Sequence, residues 1–209
     1  MTAGTVILWR HGQTDYNIQL RVQGGVDIPL NATGVQQAAA GAEALARYLG
    51  DDARVSIVSS TLSRAAATAR ALADVLALTV ATDARLRERD FGIWEGLTHD
   101  QMVERWPEEF RLWKTGATPE GIGMETKSQV ADRVHAAVME HATTRAAEEI
   151  LVVVSHGSAT TQVLARMLGA QPGGTFPIRG LDNAHWSTLN HRPEMAPPWR
   201  LRAHNLGPR

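Results

Sequence analysis

The chain contains no cysteine, which excludes disulfide frameworks, thiolate zinc sites, iron–sulfur clusters and a cysteine nucleophile. Charge of one sign is also missing: 21 Lys and Arg stand against 22 Asp and Glu, leaving a net charge of −1. No global basic field is present to hold nucleic acid or anionic lipid, so any anionic ligand must be small and locally bound. No apolar run approaches the ~20 residues that span a bilayer, and the start, MTAGTVILWRHG, has no basic region ahead of its short apolar stretch. The cytoplasm is therefore the expected compartment. Lysine is nearly absent: Lys114 and Lys127 are two of the 21 basic residues, and the other 19 are arginine, the side chain best suited to gripping phosphate.

The remaining composition, 44% hydrophobic and 21% charged over 209 residues, is that of a globular chain with one large core. No repeat or linker divides it, so residues 1–209 are expected to form a single domain. Apolar, β-branched runs predict strands at Thr5–Trp9, Val55–Val58 and Ile150–Val154, with a weaker one at Leu78–Ala81. Runs that apolar suit strands covered on both faces of a parallel sheet. Between them lie helical spacings: Val35, Ala38, Ala42, Leu45 and Leu49 behind a Thr33…Gln36 capping box, then Leu62 to Leu76, Val130 to Val138, and Val163 to Leu168. This alternation predicts a three-layer α/β/α sandwich around a mostly parallel sheet. Ala184–Leu189 and Trp199–Ala203 flank a proline-containing turn and predict a C-terminal antiparallel edge. The segment 98–127, with Trp106, Trp113 and several glycines, is the expected lid or insertion.

Ligands of open α/β sheets bind beyond the carboxyl ends of the strands. Here the first strand is followed by Arg10-His11-Gly12, the second by Ser59-Ser60-Thr61-Leu62-Ser63-Arg64, and the third by Ser155-His156-Gly157. An arginine in a first helical turn, as expected of Arg64, opposes the helix dipole unless an anion compensates it. One His-Gly pair alone is more often structural. Two histidines and two arginines after three separate strands point instead to a compact cationic pocket matched to a phosphate dianion.

The stretch LWRHGQTDYN at 8–17 resembles the signature of the histidine phosphatase superfamily, in the branch that includes cofactor-dependent phosphoglycerate mutases. VQGGVD (22–27), LNATG (30–34), SSTLSRAAATA (59–69), LRERDFGIWEG (86–96) and VSHG (154–157) follow in that family's order across most of the chain. The resemblance implies a phosphoglycerate mutase-like fold. It also implies that His11 takes the phosphoryl group on a ring nitrogen, with Arg10, Arg64 and His156 holding the phosphoryl oxygens. Asn17 and Gly157 fall at phosphoryl-contacting positions, and Thr14, Gln23 and Gly24 match segments that border the substrate. A general acid must protonate the leaving alkoxide. The residues alone do not choose among Glu88, Asp90 and Glu95; the family's motif selects Glu88 and leaves Glu95 to hold its loop through backbone N–H groups.

No metal-ligand spacing and no nucleotide-binding glycine loop occurs, so no metal and no cofactor is expected. Where the family often reads Gly-Gly-Glu-Ser, this chain has Ile122-Gly123-Met124-Glu125-Thr126, keeping the acid but losing a glycine. The expected activity is hydrolysis of a small phosphorylated metabolite. A mutase, which would return the phosphoryl group to another hydroxyl, is the alternative; 98–127 is short and mixed in charge, which favours the phosphatase. A non-catalytic phosphate-binding module is a third reading, opposed by the presence of both His11 and Glu88. QTDYN, GLTHDQ (96–101) and GLDNAHW (180–186) resemble actinobacterial glucosyl-3-phosphoglycerate phosphatases, a lead on substrate class. Trp106, Phe110, Trp113 and His185 are candidates to line the lid, and a homodimer is left open as the assembly state.

Overall fold

The strongest β-branched runs become the middle of one six-stranded sheet in the computed structural model, which describes residues 2–170 and 176–208. Its strands are β1 (Thr5–Arg10), β2 (Arg54–Ser59), β3 (Val80–Thr82), β4 (Glu149–Ser155), β5 (Trp186–His191) and β6 (Trp199–Leu206). They lie in the order β3-β2-β4-β1-β5-β6. The first four run parallel, and β5 and β6 add the expected antiparallel edge. Register then decides where the chemistry goes: Arg10 pairs with Ser155 and Ser59 with Val154, so β1, β2 and β4 end level on one edge.

Both faces of the sheet are covered, which is why its central strands read as continuous apolar runs. On one face, α2 (Ala32–Leu49) and α3 (Ser63–Leu76) bury Ala42, Leu45, Ala65, Ala69 and Leu72 against Ile7, Trp9, Val152 and Val154. On the other, α6 (Lys127–Thr143) and α7 (Gly157–Met167) bury Val130, Val134, Val138 and Val163 against Val6, Leu8, Leu151 and Val153. The one-turn helix α1 (Asp15–Ile18) follows the β1 loop. No helix among the described residues is long and apolar enough to cross a membrane.

Three local expectations are corrected. The predicted Thr33…Gln36 capping box does not form, because α2 starts earlier: Asn31 is its N-cap and accepts from the Gly34 N–H at 2.8 Å, leaving Thr33 inside the first turn. The weak strand lies at Val80–Thr82, not Leu78–Ala81, since the chain leaves α3 through left-handed Ala77 and Leu78 N–H still bonds back to Ala73. The segment 98–127 is partly regular. It forms α4 (His99–Arg105) and α5 (Pro107–Lys114), with a capping box from Thr98 to Gln101. Its apolar side builds a small separate core of Trp94, Met102, Ile122 and Met124, flanked by Phe91, Trp106, Phe110 and Trp113. The lost glycine is made good locally: Gly121 and Gly123 both take φ of +76° in the turn before Met124.

Candidate active site

Four side chains meet where the level strand ends open. Arg10 is the last residue of β1 and His11 the next, Arg64 is in the first turn of α3, and His156 is the N-cap of α7. His11 is 2% exposed, and Arg64 and His156 are fully buried. The two imidazoles lie 5.2 Å apart between ring centroids.

The backbone sets the state of His11. Its Nδ1 lies 2.6 Å from the Gly12 carbonyl oxygen, which can only accept. Nδ1 therefore carries the proton and Nε2 keeps the lone pair. Burial, then the nearby charges of Arg10 and Arg64, hold the His11 pKa well below the usual histidine value, against a smaller opposing effect of the Gly12 bond. The ring is neutral at physiological pH. His156 is held down likewise, by burial first and then by His11, Arg64 and Arg10.

Each guanidinium is anchored by carbonyl oxygens and keeps a donor in reserve. Arg10 Nη1 donates to Leu181 O at 2.6 Å. Arg64 donates through Nη1 to Val26 O at 2.8 Å and through Nη2 to Gly24 O at 2.9 Å. Asp27 of the same VQGGVD loop accepts from Ser63 N–H and Oγ, both at 2.7 Å, capping α3 from outside. Among the described residues, three buried nitrogens of this cluster are without partners, Arg10 Nε, Arg64 Nε and His156 Nδ1, as is Gln23 Oε1 of the adjoining 22–27 loop. Unpaired buried donors are costly. Gathered at a strand end and two helix starts, they have the chemistry to receive an anion.

Glu88 closes the cluster from the opposite side. Its carboxylate accepts from the backbone N–H groups of Ser158 at 3.0 Å and Ala159 at 2.9 Å, in the first turn of α7, and from Arg89 N–H at 2.8 Å. The strand-to-loop backbone that carries it is tied down by Arg133, which donates to the carbonyls of Arg85, Arg87 and Glu88 and forms a bidentate pair with Glu125, both contacts at 2.7 Å. Glu125, the acid kept from the family pattern, thus supports the site from behind. Asp90 faces away, accepting from Gly92 N–H at 2.7 Å. Glu95 holds its loop, accepting from Gly25 N–H at 2.7 Å and Phe91 N–H at 3.1 Å.

A cavity of about 200 Å³ is lined by Arg10, His11, Asn17, Arg21, Gln23, Gly24, Arg64 and Glu88 and walled by Val22, Phe91 and Trp113, with His156 buried behind His11 and off its wall. An adjoining cleft of about 350 Å³ shares Arg10, Asn17 and Arg21 and adds Tyr16, His99 and Asn183. Gly157 lies at the meeting point: a Cβ there would come within 3.5 Å of Arg10 Nε and 3.7 Å of Glu88 Oε2. Thr14 is fully buried and off the cavity wall; its side chain caps α1 and bonds Asn17 Oδ1 at 3.1 Å, which leaves the Asn17 amide nitrogen to face a ligand. Of the lid candidates only Trp113 lines the cavity. Trp106 and Phe110 pack in the small core, and His185 bonds back to Asn183 O. A wider groove of about 850 Å³ lies at the opposite ends of β2 and β4 around Arg54 and Glu149 and contains none of this cluster.

Sequence reading did not single out Asn183, Ser60 or Thr68. Asn183 Nδ2 donates to His11 O at 3.1 Å and to Asn17 Oδ1 at 3.3 Å. Thr68 Oγ1 accepts from Gly12 N–H at 3.1 Å, and Ser60 Oγ lies 2.8 Å from His156 Nε2. All three sit inside motifs quoted above, but nothing in a polar side chain's spacing says which atom it will reach.

Fold and site together define an α/β sandwich with a buried imidazole–guanidinium cluster at one sheet edge. The chain belongs to the histidine phosphatase superfamily (branch 1), whose sequence profile matches residues 6–206. It is similar to the glucosyl-3-phosphoglycerate phosphatase of Mycobacterium tuberculosis, with 36% identity over 197 residues, 91% of this chain and 86% of that one. A probable phosphoglycerate mutase, GpmB, of Yersinia pestis is 33% identical over 200 residues, covering 93% and 89%. A structure of a mycobacterial glucosyl-3-phosphoglycerate phosphatase with VO3 superposes with a TM-score of 0.85 at 33% identity, covering 98% of this chain and 100% of that one.

Proposed function

We propose that this protein is a phosphomonoester phosphatase that works through a phosphohistidine intermediate on a small phosphorylated metabolite. The observation that carries the reading is the pair of unpartnered buried donors Arg10 Nε and Arg64 Nε, with the unpartnered His156 Nδ1 beside them, around a neutral His11 with a free Nε2. In the first step the Nε2 lone pair forms a bond to phosphorus as the ester P–O bond breaks. The departing alkoxide takes a proton from the Glu88 carboxyl. In the second step the Glu88 carboxylate takes a proton from water while its oxygen attacks phosphorus and the P–N bond breaks, releasing phosphate and restoring both residues. Arg10, Arg64 and His156 hold the phosphoryl oxygens, assisted by Asn17 and by the space kept open at Gly157. Gln23 and Gly24 border the ester, with 98–127 as the lid of a single 1–209 domain.

The substrate we favour is a phosphorylated sugar or phosphoglycerate derivative. The cavity's wall of Val22, Phe91 and Trp113 suits the C–H face of a sugar, and the adjoining cleft offers Tyr16, His99 and Asn183 to hydroxyl groups. Glucosyl-3-phosphoglycerate, named for the mycobacterial relatives, combines both features. A cytoplasmic setting, no nucleic-acid ligand and an undecided homodimer belong to the same reading.

The test incubates the purified protein with 3-phosphoglycerate, glucosyl-3-phosphoglycerate and a panel of sugar phosphates, measuring released phosphate and 2-phosphoglycerate together. Phosphate release from at least one ester is expected. Rapid isomerisation of 3-phosphoglycerate without phosphate release would instead establish a mutase.

A further inference from the structure

We infer that Ser60 is a positioning residue that fixes the tautomer of His156, so that this ring turns an Nδ1–H donor, and not a lone pair, toward the phosphoryl oxygens. The inference rests on the phosphatase reading for its purpose, but its geometry stands apart from it. Ser60 immediately follows β2 and is fully buried, as is His156. Its Oγ lies 2.8 Å from His156 Nε2.

A hydroxyl has one proton to give and two lone pairs to fill. One lone pair is taken by the Leu62 N–H, 3.3 Å away. Among the described residues the only other hydrogen-bond partner of Ser60 Oγ is His156 Nε2. If Nε2 carried the proton, both ring and backbone would donate to Ser60 and the serine proton would be left in a buried site without an acceptor, a costly arrangement. With Ser60 donating to Nε2, the hydroxyl and Nε2 are both satisfied and the ring's proton resides on Nδ1. Nδ1 is the buried atom that has no partner.

The alternative tautomer would also be wrong electrostatically. A bare Nδ1 would aim a lone pair at an anion already bearing two or three oxygens, trading a hydrogen bond for repulsion. A doubly protonated ring would avoid that problem. Burial and the neighbouring His11, Arg64, Arg10 and Arg133 keep His156 neutral, however, so the donor must come from the choice of tautomer.

The test uses the full chain, uniformly 15N-labelled, in two-bond 1H–15N spectra of the imidazoles, with His156 identified by its absence from H156Q. The wild type is expected to show His156 protonated at Nδ1 and bare at Nε2. Ser60→Ala should redistribute that proton, lower kcat/KM for p-nitrophenyl phosphate about tenfold and weaken inhibition by orthovanadate by a similar factor. Ser60→Thr, which keeps the hydroxyl, should recover the tautomer and most of both losses. A wild-type His156 protonated at Nε2 overturns the proposal, and so does an S60A protein with tautomer and kinetics unmoved. If S60A fails to fold, the wild-type spectrum decides alone. A wild type with the Nδ1–H tautomer that hydrolyses no phosphate ester would overturn the phosphatase reading and leave the Ser60 assignment intact.

Discussion

His11 and His156 face each other across 5.2 Å, and each ring is held at one nitrogen by a different kind of partner. The Gly12 carbonyl takes Nδ1–H of His11 and leaves Nε2 as a free lone pair; Ser60 occupies Nε2 of His156 and leaves Nδ1 free. The same side chain thus presents a lone pair in one place and, as we infer, an N–H in the other. Which role each takes is decided by an atom outside the ring.

His11→Ala should abolish turnover of p-nitrophenyl phosphate and the acid-labile phosphoprotein formed with it, while phosphate binding weakens only modestly because Arg10 and Arg64 remain. Rapid-quench trapping followed by mass spectrometry checks both. Unchanged turnover would remove His11 as the phosphoryl acceptor.

Glu88→Gln keeps one oxygen for the Ala159 and Arg89 N–H groups, which share Oε1, turns its amide nitrogen toward the Ser158 N–H, and has no proton to move. Hydrolysis should slow by ~10²–10⁴, with the larger effect on alkyl esters and the smaller on p-nitrophenyl phosphate. An equal loss on good and poor leaving groups, measured as kcat for the two classes, would sink the general-acid role.

Stability should fall as the solution is made mildly acidic. His11 and His156 are both buried, and burial holds their folded pKa values well below the usual histidine value near 6.5. Below pH ~6.5 the unfolded chain binds protons that the folded chain refuses, so folding loses up to ~1.4 kcal/mol per pH unit for each ring. Urea unfolding at pH 7.5 and 5.5 should show this drop, and H156Q should show a shallower one. A flat profile would mean that the rings titrate normally.

Gly24 has φ of +53°, and a Cβ there would lie 1.8 Å from Glu95 Oε1. Gly24→Ala should therefore cost more than ~1 kcal/mol of stability. It should also weaken phosphate binding, because the Gly24 carbonyl anchors Arg64. Calorimetric melting and phosphate titration read the two effects separately; a variant as stable as the parent would contradict the strain.

Trp113→Ala removes the one aromatic side chain of segment 98–127 that lines the cavity. KM for the sugar-phosphate substrate should rise about tenfold, a ΔΔG near 1.4 kcal/mol and within the range for a lost aromatic contact. Inhibition by inorganic phosphate should be unchanged. A parallel loss of phosphate affinity would show that Trp113 supports the receptor and not the leaving group.

Much of this was legible in the chain because it rests on local rules. Continuous β-branched runs can be satisfied only by strands covered on both sides, and helical spacings between them demand a layered α/β sheet. That sheet then places whatever follows each of its parallel strands on one edge, so strand order and direction alone group Arg10, His11, Arg64 and His156. Glu88 could not be separated from Asp90 and Glu95 by residue type: three carboxylates within eight positions differ only in which backbone N–H groups they meet, and these belong to α7, the Asp90 turn and the 22–27 loop respectively. The same limit hid Ser60, Thr68 and Asn183, and it sorted Trp113 from Trp106 and Phe110. Sequence by itself determined the layers, the edge and the charged groups delivered there, because hydrophobic period and strand direction are properties of the chain. The protonated nitrogen on each imidazole, the carboxylate that closes the site and the lid residue that enters it were decided by tertiary structure, because each depends on atoms brought close from distant parts of the chain.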